Sequence, residues 1–185
     1  QVRTPSFKAW FGDWENAPED ASKVINEKTG EPLVVYHATR GERFEVFDRG
    51  KLGGNTYANA SDLSFALTAG IGHWFNTQDL SKTSAYAGGR SEAVFLNIRE
   101  PLEPYSLEEL ADRLSGYEVL DEETGEAKTI DEMTPEEVRD LGEEAFADLT
   151  NEDYDGVVLR DEEFGGQSFV AFDSNQIKSA TDNSG

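Results

Sequence analysis

Phe7, Trp10, Phe11 and Trp14 recur at i, i+3, i+4 and i+7, which predicts a helix with one apolar face. Pro5 suits its first turn. Val24-Ile25 and Leu33–Tyr36 flank the polar run Asn26–Glu31, a pattern that predicts a hairpin with Gly30 at positive φ. Phe44 to Asp48 alternates briefly, and a loop rich in glycine and asparagine follows from Gly50 to Ala60. A short helix is expected over Asp62–Ala69, then a strand through Trp74-Phe75. Thr77 is placed to cap a helix running through Leu80 to Tyr86 and ending at Gly88-Gly89. Ala93–Ile98 reads as a strand ended by Pro101.

The second half carries clearer punctuation. Ser106 and Glu109 form a capping box, with Leu107, Leu110 and Leu114 on one face. Tyr117–Leu120 and Ala127–Ile130 suggest a hairpin about Glu123-Thr124-Gly125. Thr134, Pro135 and Glu137 mark another helix start, with Val138, Leu141, Ala145 and Leu149 turned inward. Gly156–Leu159 and Phe169–Phe172 then return as strands around Gly165-Gly166. A chain of 185 residues read this way is one α+β domain spanning 1–185.

Charge changes that picture in one place. Residues 100–165 hold 24 of the 38 acidic side chains and 4 basic ones, so this segment carries −20 of the net −22. Such a surface repels nucleic acid and anionic lipid. It is either a solvated face or a docking surface for a basic partner. No run approaches the ~18 apolar residues of a membrane span. No signal peptide opens this chain, so a cytoplasmic location, or delivery into a host cytoplasm, is expected. With no cysteine there are no disulfides or thiolate metal sites, and a metal is not expected. The chain opens on Gln1 rather than Met, as expected of a piece of a larger polypeptide.

Three ordered segments carry candidate chemistry: Leu33–Thr39 ending in His37-Ala38-Thr39, Gly72-His73-Trp74-Phe75 with Tyr86 eleven residues on, and Ser168–Asp173. Together they resemble the NAD site of the ADP-ribosyltransferase fold, in the histidine–tyrosine–glutamate branch of poly(ADP-ribose) polymerases and diphtheria-type toxins. The wording is closest to the ADP-ribosyltransferase-like domains of phage and mobile-element polyvalent proteins. Asn175–Ala180 is similar to the same group. The resemblance implies a split β-sheet core with peripheral helices, and an acidic helical insertion at about 103–153. It implies NAD as substrate, an acceptor such as a protein, and cleavage of the nicotinamide–ribose bond.

Carried over by resemblance, His37 and Thr39 meet ribose hydroxyls and the Ala38 backbone meets the nicotinamide amide. Trp74, beside Phe75, and Tyr86 stack on the nicotinamide ring. Alignment of Phe172-Asp173 puts Ser168 in the glutamate position, with Gln167 beside it on the other side of the strand. A serine lacks the charge that steadies an oxocarbenium-like ribose, a loss that costs on the order of 2–4 kcal/mol. Glu162 or Glu163 could replace it from the preceding turn. From the residues alone, Trp74 and Tyr86 could equally be core and His37 a strand-end polar group. His73 reads as incidental, pointing away from Trp74. The expected activity is mono-ADP-ribosyl transfer or NAD hydrolysis. The alternatives are a catalytically silent NAD-binding or docking module and, last, an acidic nucleic-acid mimic.

Overall fold

The computed structural model describes residues 1–40, 44, 46–52, 63–83, 89–160 and 165–181. Helix α1 covers Pro5–Phe11, with the Thr4 hydroxyl accepting from the Phe7 amide. It stops at Gly12, whose φ of 101° would strain any side-chain-bearing residue. The apolar stripe therefore outruns the helix: Phe7 and Phe11 lie on α1, and Trp14 joins the same core from beyond it. The expected hairpin is reduced to a turn. Gly30 has φ 72°, the Asn26 side chain accepts from Lys28 and Thr29, and one bridge joins Ile25 to Pro32.

Strand β1 begins at Val35 and ends at Thr39. The others are β2 (His73–Asn76), β3 (Arg90–Leu96), β4 (Pro101–Leu102), β5 (Gly156–Val158), β6 (Ser168–Ala171) and β7 (Ile177–Ser179). They form one mixed sheet in the order β4-β5-β6-β2-β1-β3-β7. Only β4 and β5 are parallel, so Pro101 opens a new edge strand after the turn that closes β3. The α+β class is the one expected from the sequence.

Alternation along the strands divides the core in two. On one face Val35, Phe75, Val94, Leu96, Phe169 and Ala171 pack with Val24, Leu33 and Phe47. On the other, Val157, Val170 and Trp74 meet α2 (Leu63–Gly70), α3 (Leu107–Arg113) and α4 (Pro135–Asn151). Phe95 meets α1 on that side.

The acidic segment supplies apolar residues to this second core. Leu110, Leu114, Val138, Leu141, Ala145 and Leu149 are all buried there. The expected capping box forms in full at α4, where Thr134 and Glu137 cap each other's backbone; at α3 only half of it forms, since Ser106 accepts from the Glu109 amide while the Glu109 carboxylate accepts from the Tyr105 amide instead. The expected hairpin at 117–130 shortens to the single bridge Leu120–Ala127, and Lys128 ties it to α4 through Glu137 at 2.7 Å. No described helix is long and apolar enough to cross a membrane.

The Asn175–Ala180 segment has a clear physical task. Gln176, 8% exposed, accepts from the Phe172 and Asp173 amides at 2.9 and 2.8 Å. Its amide nitrogen donates to the carbonyls of Asn97 and Asp155 at 3.1 and 2.7 Å. One side chain thus joins the exits of β3 and β6 to the entry of β5. Gln176→Ala leaves one buried and three half-buried backbone groups without these partners and should lower unfolding stability by about 3 kcal/mol, read by urea denaturation. A loss below about 1 kcal/mol would mean water replaces all four bonds.

Candidate functional site

The three motifs meet where the sheet divides. β1 pairs with β3 through all five of its residues, and β2 pairs with β6 through all four. Between β1 and β2 the ladder holds one pair, Tyr36 with Asn76. Beyond it the two strands separate, and the His37 ring enters the gap. His37 Nδ1 lies 2.8 Å from the carbonyl oxygen of Trp74. A carbonyl only accepts, so Nδ1 carries the proton and Nε2 of the neutral ring presents a lone pair.

Neutrality is enforced by packing. The ring contacts Phe47, Phe75 and Phe44 at centroid separations of 5.1, 5.6 and 6.1 Å. Burial, the dominant influence, pushes the His37 pKa below the ordinary imidazole value, partly opposed by the Trp74 carbonyl and by Glu92. Glu92 is the Cα partner of His37 on β3, so it brings a carboxylate to this face. Its Oε1 lies 3.7 Å from Arg90 Nε.

The remaining motif residues divide between the two faces. Phe75, 2% exposed, is the floor beneath His37. Ala38 and Thr39 continue β1 opposite Ser91 and Arg90. Trp74 faces the other way and donates from Nε1 to the Thr68 carbonyl of α2 at 2.9 Å. Ser168 is Asn76's partner across β2–β6 and is 3% exposed. Its hydroxyl accepts from Asn76 Nδ2 at 3.1 Å, and the same nitrogen holds the Gly166 carbonyl. Gln167, one residue earlier, alternates to the face of His37, and its carbonyl accepts from the Thr77 amide. Tyr86, Glu162 and Glu163 lie outside the described residues. The described part of the expected helix after Thr77 is a single 3₁₀ turn, Leu80–Lys82, and its cap is Asp79, not Thr77.

His73 has a larger place than the sequence suggested. It does point away from Trp74, but that direction takes it to the His37 face, where it is 5% exposed and 5.2 Å from the Phe47 ring. Its Nε2 is buried without a hydrogen-bond partner among the described residues. Burial, reinforced by His37 and Arg49, drives its pKa down to about 4. The period-two spacing of His73 and Phe75 was the available signal. Arg49 had none, because its partners are distant in the chain. Among the described residues no group of three or more His, Cys, Asp or Glu is arranged to hold a metal.

The buried imidazole has a consequence for stability. An unfolded histidine titrates near 6.5 and folded His73 near 4, so the unfolded chain binds the extra proton between those values. Stability is therefore full above about pH 6.5 and falls as pH drops toward 4, by up to roughly 3 kcal/mol from this residue. His73→Leu should flatten the pH dependence of the urea midpoint over that window. An unchanged slope would show that His73 stays solvated.

Residues 27–185 match the model of a family described as ADP-ribosyltransferase in polyvalent proteins. Neither a curated protein nor a solved structure gave a significant match to the chain.

Proposed function

Because this chain belongs to the family of ADP-ribosyltransferases in polyvalent proteins, we propose that it breaks the nicotinamide–ribose bond of NAD and transfers ADP-ribose to an acceptor. The observation that carries the reading is the parting of β1 and β2 at a neutral His37. Tyr36 is the last residue of β1 paired with β2, so the ladder does not continue to Ala38. An edge of this kind offers backbone N–H and C=O to a planar amide. The backbone of Ala38 meets the nicotinamide amide there, and Thr39 assists at the ribose. His37 Nε2 accepts a hydrogen bond from a ribose hydroxyl. The family resemblance assigns stacking on the nicotinamide ring to Trp74 and Tyr86.

The reaction moves electrons simply. The C1′–N bond breaks, its electron pair neutralises the departing nicotinamide ring, and an acceptor lone pair closes on C1′ as the acceptor sheds a proton. Water as acceptor makes the same site an NAD glycohydrolase. Positive charge grows on the ribose, so a nearby anion speeds the step. Glu92 is the candidate source, since it opposes His37 across the strand pair. Gln167 is the better candidate than Ser168 for the third-motif contact. It shares the His37 face, whereas the Ser168 hydroxyl is buried against Asn76.

The second reading is a silent NAD-binding module, favoured by the absence of a carboxylate at Ser168. Nicotinamide release from NAD separates the two. The transferase reading expects release from the wild type, and His37→Ala and Tyr86→Ala each slower by more than about tenfold, because misplacement of ~1 Å can cost ~10²-fold. Glu92→Gln should abolish turnover with NAD binding retained, and Gln167→Glu should raise it. A folded wild type that binds NAD and releases no nicotinamide would establish the silent module instead.

A further inference from the structure

Arg49 belongs to no motif, yet it is heavily engaged beside the site. It sits in a 3₁₀ turn, Arg49–Lys51, that follows Phe47 and Asp48. Its Nη1 donates to the carbonyls of Phe172 and Ile71 at 2.8 and 3.2 Å. Its Nη2 lies 3.4 Å from a Glu143 carboxylate oxygen on α4. The guanidinium carbon stands 3.6 Å from the centroid of the Phe146 ring, also on α4. Three elements are tied at one point: the entry to β2, the exit of β6 and the long helix of the acidic segment.

Two residues before this anchor, Phe47 is wedged between the two imidazoles. Its ring is 5.1 Å from His37, 5.2 Å from His73 and 5.5 Å from Phe75, with Phe44 closing the cluster at 4.9 Å. Phe47 also packs on the apolar core of this face, but burial alone does not set which way its ring is presented to the two imidazoles; the path of the turn does. Arg49 fixes it, since a planar fork satisfies two carbonyls, a carboxylate and an aromatic face together.

We infer that Arg49 is a positioning residue for His37: through Phe47 it holds the imidazole in the parting of β1 and β2 and keeps water from its flank. The inference rests on His37 being the residue that meets the ribose. It also makes α4 a part of the site's support, since Glu143 and Phe146 are half of what holds Arg49. The charged groups facing His37 from elsewhere are Glu92 and Arg90 on β3, and the titratable and charged groups around His73 are His37, Arg49, Asp48 and Asp173. Arg49→Lys keeps the positive charge at position 49, and Phe47→Leu replaces none of these groups.

The chain has two histidines, so their ring signals can be followed individually by NMR during a pH titration. Arg49→Lys keeps the charge and loses the fork, and Phe47→Leu keeps an apolar residue and loses the wedge. Both should raise the His37 midpoint toward the ordinary 6.5 and populate the tautomer protonated on Nε2. If Arg49 only fastened the turn to α4, Arg49→Lys would lower the urea midpoint and leave both His37 readings at their wild-type values. That result in the folded variants overturns the inference. Should Arg49→Lys fail to fold, Phe47→Leu decides by the same two readings. The titration needs no NAD, so its outcome stands apart from whether the protein binds or cleaves that substrate.

Discussion

The hydrogen bond from His37 Nδ1 to the Trp74 carbonyl is the constraint on which the site depends. In a continuous antiparallel pair that carbonyl would face a backbone amide of the neighbouring strand. Here a side chain takes it, and the sheet can open without leaving the oxygen buried and unpaired. The same bond fixes the tautomer, so one contact both ends the β1–β2 ladder and sets the chemistry of the ring that fills the gap. Desolvation by Phe44, Phe47 and Phe75 then keeps the ring neutral. A protonated His37 would offer only donors and would forfeit its capacity to accept from a hydroxyl.

The acidic segment is not an appendage to this arrangement. Leu110, Leu114, Val138, Leu141, Ala145 and Leu149 are part of the core over β5 and β6, and its outer surface holds the charge. Phe146 packs edge-on against Phe172 at 5.6 Å while carrying the Arg49 guanidinium on its face. Sheet, turn and long helix therefore share one cluster. A change on α4 is a mechanical change near the histidines, with no need for a separate channel of communication.

Much of this was legible from local pattern. The helices at Leu63, Leu107 and Pro135 follow from apolar spacing and capping residues that act within one turn. The strands at Val35, His73, Arg90 and Ser168 follow from short apolar runs, and the order of the segments at Leu33, Gly72 and Ser168 carried the family resemblance. Elements that depend on distant partners were harder to read. The strand pairs expected at 24–36 and 117–130 shrink to single bridges, because polar turns with internal Asn26 and Asp121 bonds satisfy much of the backbone locally. Facing was readable only in part. Alternation alone sets His37 and Gln167 on one side and Trp74 and Ser168 on the other, but the opening between β1 and β2 depends on a carbonyl 37 residues away. Arg49 was invisible for the same reason: the carbonyls of Ile71 and Phe172 and the side chains of Glu143 and Phe146 have no signature near position 49.

The central claim is that a neutral His37, protonated on Nδ1, presents Nε2 to the ribose of NAD. Nitrogen-detected NMR of the histidine rings during NAD titration tests it most directly. The account predicts that free His37 is the Nδ1–H tautomer at neutral pH and that its Nε2 resonance shifts saturably as NAD is added, with His73 Nδ1 and Nε2 little changed. A free ring protonated on Nε2, or a His37 signal that does not move at millimolar NAD, would contradict it.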